Sequence, residues 1–93
     1  MLESKALAAE LIKEFEGFSP SLYSCPGGKK TIGYGHALAT GEPAADNISR
    51  AEAEQLLAKD IERASIALRR NCLVPLSVQQ EAALLSFIFN CGS

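Results

Sequence analysis

The chain has 93 residues, 47% of them hydrophobic and 22% charged, which allows one small domain burying roughly 64% of its extended surface. This composition excludes a disordered tail, a collagen and a low-complexity linker, and no apolar run approaches the roughly 18 residues of a membrane-spanning helix. The net charge is −2 and the only basic pairs are Lys29-Lys30 and Arg69-Arg70, so the basic stripe of a nucleic-acid binder is missing and nucleic acid is not an expected partner.

The first predicted element is a helix from Ser4 to about Glu16. Leu7, Leu11, Ile12 and Phe15 recur at helical spacing, with Lys5, Glu10, Lys13 and Glu14 largely on the other side. Ser4 suits its start and Gly17 the position just past its end. Glu16 then falls in the last turn, where a carboxylate opposes the helix dipole at about 0.3–1 kcal/mol. Either helix stability is not what favours it there, or it is exposed and tolerated.

From Ser19 to Ala37 the helical pattern stops. Tyr23 before the turn residues Pro26-Gly27-Gly28, and Thr31, Ile32 and Tyr34 after them, predict two short strands joined by a Gly-rich turn. Strand alternation would put Thr31, Gly33 and Gly35 on one face and Ile32, Tyr34 and His36 on the other. The first face carries one hydroxyl and two missing side chains, bare enough for a ligand to approach the backbone.

After a loop rich in Ala, Gly, Pro and Asp, Ser49 and Glu52 form a capping box. The second helix follows, with an apolar stripe of Ala53, Leu56, Leu57, Ile61, Ala64 and Leu68. It runs without a breaker to about Arg70, long enough to act as a strut. A second capping box, Ser77 with Gln80, opens the third helix after Pro75. Between Ala82 and Phe89 only Ser86 is polar, so this helix asks to be covered on every side. With the chain ending at Ser93, either a partner chain covers it, making a homo-oligomer through residues 78–89 one expectation, or the polypeptide is the front part of a larger fold. No internal repeat is present.

Glu16-Gly17-Phe18, Tyr23, Cys25-Pro26-Gly27-Gly28 and Thr31-Ile32-Gly33-Tyr34-Gly35-His36 together resemble the phage-type (T4-like) lysozyme, or endolysin, family. That family places a Glu, eight residues, an Asp or Cys, five residues and a Thr; Glu16, Cys25 and Thr31 have those intervals. The segment Ala83 to Gly92, ending Asn90-Cys91-Gly92, resembles the family's helix at the top of the second lobe. The resemblance covers nearly the whole chain. It implies an α+β, lysozyme-like fold: an N-terminal helix and small antiparallel β-hairpin or sheet with its loop (1–47), a connecting helix (48–71) and the first helix of a helical C-terminal lobe (72–93). Family chains normally continue beyond the Asn-x-Gly, and this sequence stops there.

The activity implied is hydrolysis of the β-1,4 bond between N-acetylmuramic acid and N-acetylglucosamine in bacterial peptidoglycan, with no cofactor. Such cleavage needs a proton on the leaving oxygen and an activated water or nucleophile on the other face. By resemblance Glu16 is the general acid; it must keep its proton near neutral pH, which partial burial beside Phe15 or Phe18 would favour. Where two-carboxylate enzymes have an Asp, this chain has Cys25, and Gly17 to Gly41 contains no Asp or Glu. A two-carboxylate mechanism within this lobe is therefore excluded. A thiol is only a few per cent ionised at pH 7, so Cys25 is expected to help place a water, with Thr31 holding it through a hydroxyl that donates and accepts. Gly33, Gly35 and Asn90 are expected to line the sugar site, and His36 to be structural, hydrogen-bonded beneath the hairpin.

Taken singly these residues read more plainly. Glu16 is then a solvated helix end, Cys25 a small buried hydrophobe, Thr31 a strand residue and Asn90 a helix terminus; the linked spacing is what joins them. One His and three scattered Cys give no metal-ligand spacing. The odd Cys count fits a reducing cytoplasm, while a Cys72–Cys91 bridge fits an oxidising compartment. Met1 to Lys5 lacks the order of a signal peptide, and the resemblance implies synthesis in the bacterial host cytoplasm and action on the wall, in the periplasm, after release. Two other readings stand beside the enzyme: an inactive lysozyme remnant that self-associates or binds wall, and a helical interaction protein unrelated to lysozymes.

Overall fold

The second and third helices begin at the capping boxes the sequence predicts, whereas the first starts at Leu2, ahead of Ser4, its expected cap, which lies buried inside the helix. The computed structural model describes residues 2–24, 30–39, 41–43, 47–72 and 74–91. In chain order the elements are α1 (Leu2–Glu16), β1 (Ser19–Ser24), β2 (Lys30–Gly33), β3 (His36–Ala37), α2 (Arg50–Asn71) and α3 (Val78–Cys91), an α+β arrangement as expected. The Gly17 amide closes α1 by donating to the Lys13 carbonyl at 2.9 Å. At the start of α2 the Glu52 amide donates to Ser49 Oγ at 3.1 Å, and the Ser49 amide to Glu52 Oε1 at 2.9 Å. Ser77 and Gln80 repeat the exchange at the start of α3, at 2.9 and 3.1 Å. Each box satisfies amides that the helix itself leaves unpaired.

Helix α2 is 22 residues long, about 33 Å, in a molecule whose longest extent is 41 Å. It is the strut predicted, and no helix among the described residues is long and apolar enough to cross a membrane. One stripe is buried: Ala53, Leu57, Ile61, Ala64, Ser65 and Leu68. Onto that stripe pack α1 and the sheet, while Ala82 and Leu85 of α3 complete the core. Lys5 pairs with Glu62 and Lys13 with Glu54, both at 2.6 Å, linking α1 to α2. Such exposed pairs contribute only about 0–1 kcal/mol each. Cys72 at the end of α2 is a free thiol.

The apolar face of α1 follows expectation at Leu7 and Ile12, which pack into the core, and departs from it elsewhere. Its buried residues are Ser4, Ala8 and Ile12, whereas Leu11 is exposed and Phe15 is 79% exposed. Residues four apart share a face, and the small Ser4 and Ala8 let α3 and α2 approach closely on that side. Ser4 Oγ donates to Glu81 at the start of α3. Helix α3, predicted to be apolar all round, buries only part of its surface. Leu84 is exposed and Phe87 is 64% exposed. The accessible surface is 6075 Å², against about 5,200 Å² for a compact chain of this mass, and these side chains are part of the excess.

The sheet has three strands in the order β1-β2-β3, all antiparallel, rather than the two predicted. Tyr23 lies opposite Thr31 and Ser19 opposite Gly33, so β1 advances four residues where β2 advances two. The Gly-rich turn predicted between these strands lies outside the described residues. Strand β2 stops at Gly33 and Tyr34-Gly35 turns the chain into β3, where Ile32 faces His36 across the ladder. The alternation expected through Gly35 therefore breaks at the turn.

Candidate active site

Glu16 ends α1 half-buried, with its carboxyl group laid against Gly35. A Cβ on Gly35 would lie 2.9 Å from both Glu16 Cδ and Cγ and 3.0 Å from Oε1, and Gly35 has φ +76°. Only a residue without a side chain allows both this conformation and this approach. The missing side chain at Gly35, read from sequence as room for sugar, is where the Glu16 carboxyl group rests. Phe15, expected to help bury Glu16, points to solvent instead.

The turn that carries Gly35 is fixed through its neighbour Tyr34, which is buried. The Phe18 and Tyr34 rings lie 5.5 Å apart, tilted by 50°, within the range of favourable aromatic pairs. Lys13 Nζ sits 5.6 Å above the Tyr34 ring. The Arg50 guanidinium stacks over Phe18 at 4.6 Å and reaches the Tyr34 hydroxyl in a long 3.5 Å contact. Hydrogen bonding to Glu54, the largest influence on Lys13, raises the ammonium pKa above 10.5 against the opposing effect of burial.

His36, expected to be hydrogen-bonded beneath the hairpin, has two carboxylate partners that no sequence pattern signalled. Only 5% exposed, its Nδ1 lies 2.8 Å from Asp60 Oδ2 on α2 and its Nε2 2.8 Å from Glu42 Oε2 in the following loop. Burial opposes the charged ring most strongly, yet the hydrogen bonds to Asp60 and Glu42 and their charges together raise the His36 pKa above 6.5. Glu42 accepts from the Ala39 amide at 2.9 Å. That bond, then the one from His36, lowers its pKa below 4.5. Arg63 adds a contact to Asp60 at 3.4 Å.

The other expected site residues are placed unevenly. Cys25 lies outside the described residues. Thr31 is buried on the central strand, and four residues of chain keep it within about 14 Å of Gly35. Gly33 corrects an expectation: its bare side faces Ala53 Cβ at 3.1 Å and Ile48 Cδ1 at 3.2 Å from where a Cβ would stand. That face is closed by protein, and Gly33 packs the sheet onto α2. Asn90 is exposed near the end of α3. Among the described residues no group of three or more His, Cys, Asp or Glu could hold a metal ion. Sequence reasoning missed Phe18, Tyr34 and Arg50 as a unit; the aromatic pair flanking Glu16 and Gly35 was the available signal.

Comparison with known proteins converges on one family. The family model for phage lysozyme matches residues 13–93. The endolysin of Acyrthosiphon pisum secondary endosymbiont phage 1 is 38% identical over 84 residues, covering 88% of this chain and 55% of that protein. Among solved structures, the muramidase domain of SpmX from Asticaccaulis excentricus superposes with a TM-score of 0.76 at 34% identity, over 91% of this chain and 56% of that one. The endolysin from Escherichia coli O157:H7 phage FAHEc1 does so with a TM-score of 0.79 at 33% identity, over 92% and 56%. The chain thus spans about half the length of these relatives.

Proposed function

The chain belongs to the phage lysozyme family, and on that premise we propose that it acts in peptidoglycan hydrolysis, cleaving the β-1,4 bond between N-acetylmuramic acid and N-acetylglucosamine. Glu16 gives its proton to the leaving glycosidic oxygen, and Cys25 and Thr31 place the attacking water on the opposite face of the sugar. The Gly35 backbone and Asn90 border the sugar. Synthesis in the bacterial host and action on the wall after release belong to the same proposal. The observation that carries it is the Glu16 carboxyl group held against Gly35, the bare position of the turn between β2 and β3. Clearing of a peptidoglycan suspension is the test. Wild-type protein should clear it, and Glu16→Gln should lower the rate by about 10²–10⁴, the range of general-acid contributions. Equal clearing by the two proteins would end the assignment.

A second reading, self-association, is favoured by a specific observation: Leu84 and Phe87 on α3 are exposed, as are Leu11 and Phe15 of α1. We propose that a second copy of the chain covers α3 over residues 78–89. Sedimentation at micromolar concentration should give a dimer mass that Phe87→Glu returns to the monomer. A wild-type monomer under those conditions excludes this reading.

A further inference from the structure

We propose that Arg50, the first residue of α2, is a positioning residue that clamps the two segments on either side of the acid. One segment is the stretch that leaves α1, with Phe18 two residues after Glu16. The other is the Tyr34-Gly35 turn on which Glu16 rests. Arg50 is exposed, yet its guanidinium sits over Phe18, 4.6 Å from the ring centroid, and extends to the Tyr34 hydroxyl at 3.5 Å. Phe18 in turn packs on Tyr34 with centroids 5.5 Å apart. A planar guanidinium stacks on one ring while its N–H groups reach another, which an ammonium cannot do. Lys13 Nζ also sits 5.6 Å from the Tyr34 ring centroid, tied to Glu54 of α2 at 2.6 Å. Helix α2 thereby grips both chain segments that meet at Glu16, through residues outside the Glu-Cys-Thr spacing.

The inference rests on the hydrolase reading for its consequence, and on geometry alone for its substance. If Glu16 rests on Gly35, the glycine α-hydrogen lies against the Glu16 side chain, since a Cβ in that direction would be 2.9 Å from Cγ. Proton NMR of the intact chain should therefore show a strong cross-peak between Glu16 Hγ and Gly35 Hα. Arg50→Ala should lose that cross-peak while the amide spectrum of α2 and α3 persists, and Phe18→Leu should lose it too. Arg70→Ala, which removes an exposed charge elsewhere on α2, should keep it. In wall clearing, Arg50→Ala should lower kcat about tenfold with KM little changed, because a small misplacement of a catalytic group acts on the chemical step. A cross-peak of wild-type intensity in Arg50→Ala or Phe18→Leu overturns the proposal whatever the activity. A wild-type chain that clears no wall overturns the hydrolase reading instead, and the cross-peak still decides the placement of Glu16.

Discussion

Gly35→Ala should lower wall clearing by about 10²-fold, the effect of moving a catalytic group by roughly 1 Å. The methyl group would enter 2.9 Å from Glu16 Cγ and Cδ, too close for any pair of carbons, so either the carboxyl group swings out or the turn retreats. Alanine at φ +76° adds about 1–2 kcal/mol of backbone strain. Gly41 separates the two effects, since its φ is +83° and a Cβ there meets nothing within 4 Å. Gly41→Ala should lose similar stability and keep its activity. The measurements are clearing rate and thermal midpoint for both variants. Matching losses of activity would mean that strain alone, and not the displacement of Glu16, accounts for Gly35.

The second large effect is on stability and depends on pH. His36 joins β3, the loop at Glu42 and the strut at Asp60. Removing one partner of a buried ionic cluster leaves the others uncompensated, typically at about 3–5 kcal/mol, and His36→Ala should cost an amount of that order. Folded His36 holds its proton more tightly than the unfolded chain does, its pKa being raised above 6.5. Its contribution is therefore complete below pH 6.5 and is lost as pH rises through the raised folded value. Glu42 behaves oppositely: lowered below 4.5 in the fold, it contributes fully above pH 4.5 and loses that as pH falls through its folded value. The thermal midpoint should thus be highest between about pH 4.5 and 6.5 and decline on the alkaline side. In His36→Ala that alkaline decline should vanish. A wild-type midpoint that stays level from pH 6 to 9 would contradict the double clamp.

What could be read in advance divides by the range of the interaction. The strut and its caps were legible because Ser49 with Glu52, and the stripe from Ala53 to Leu68, are local patterns that the chain completes by itself. The start of α3 was legible for the same reason. Helix α1 was read half correctly: Leu7 and Ile12 face the core as expected, but periodicity cannot tell which flank of that stripe its neighbours will cover. The small Ser4 and Ala8 won over Leu11 and Phe15 because close approach needs them. Gly33 and Gly35 looked alike in sequence as paired gaps in a strand. Ala53 and Ile48 fill the first gap and Glu16 the second, from parts of the chain that no spacing rule connects to them. His36 was expected to be structural, but its partners Asp60 and Glu42 come from opposite sides of the ring and only the folded chain brings them together.

The pairing of α1 with α3 bears on how the molecule assembles. Among the described residues helices α1 and α3 make the most extensive contact between any two elements, and Ser4 bonds to Glu81, 77 residues further on. Loop closure of that span carries a large entropy penalty before any native contact repays it. During synthesis α1 leaves the ribosome long before its main partner exists, so it waits as an unfinished amphipathic segment. Docking of α1 therefore waits on the emergence of α3, and losing the small-residue face of α1 would unsettle α3 as much as the residues next to it.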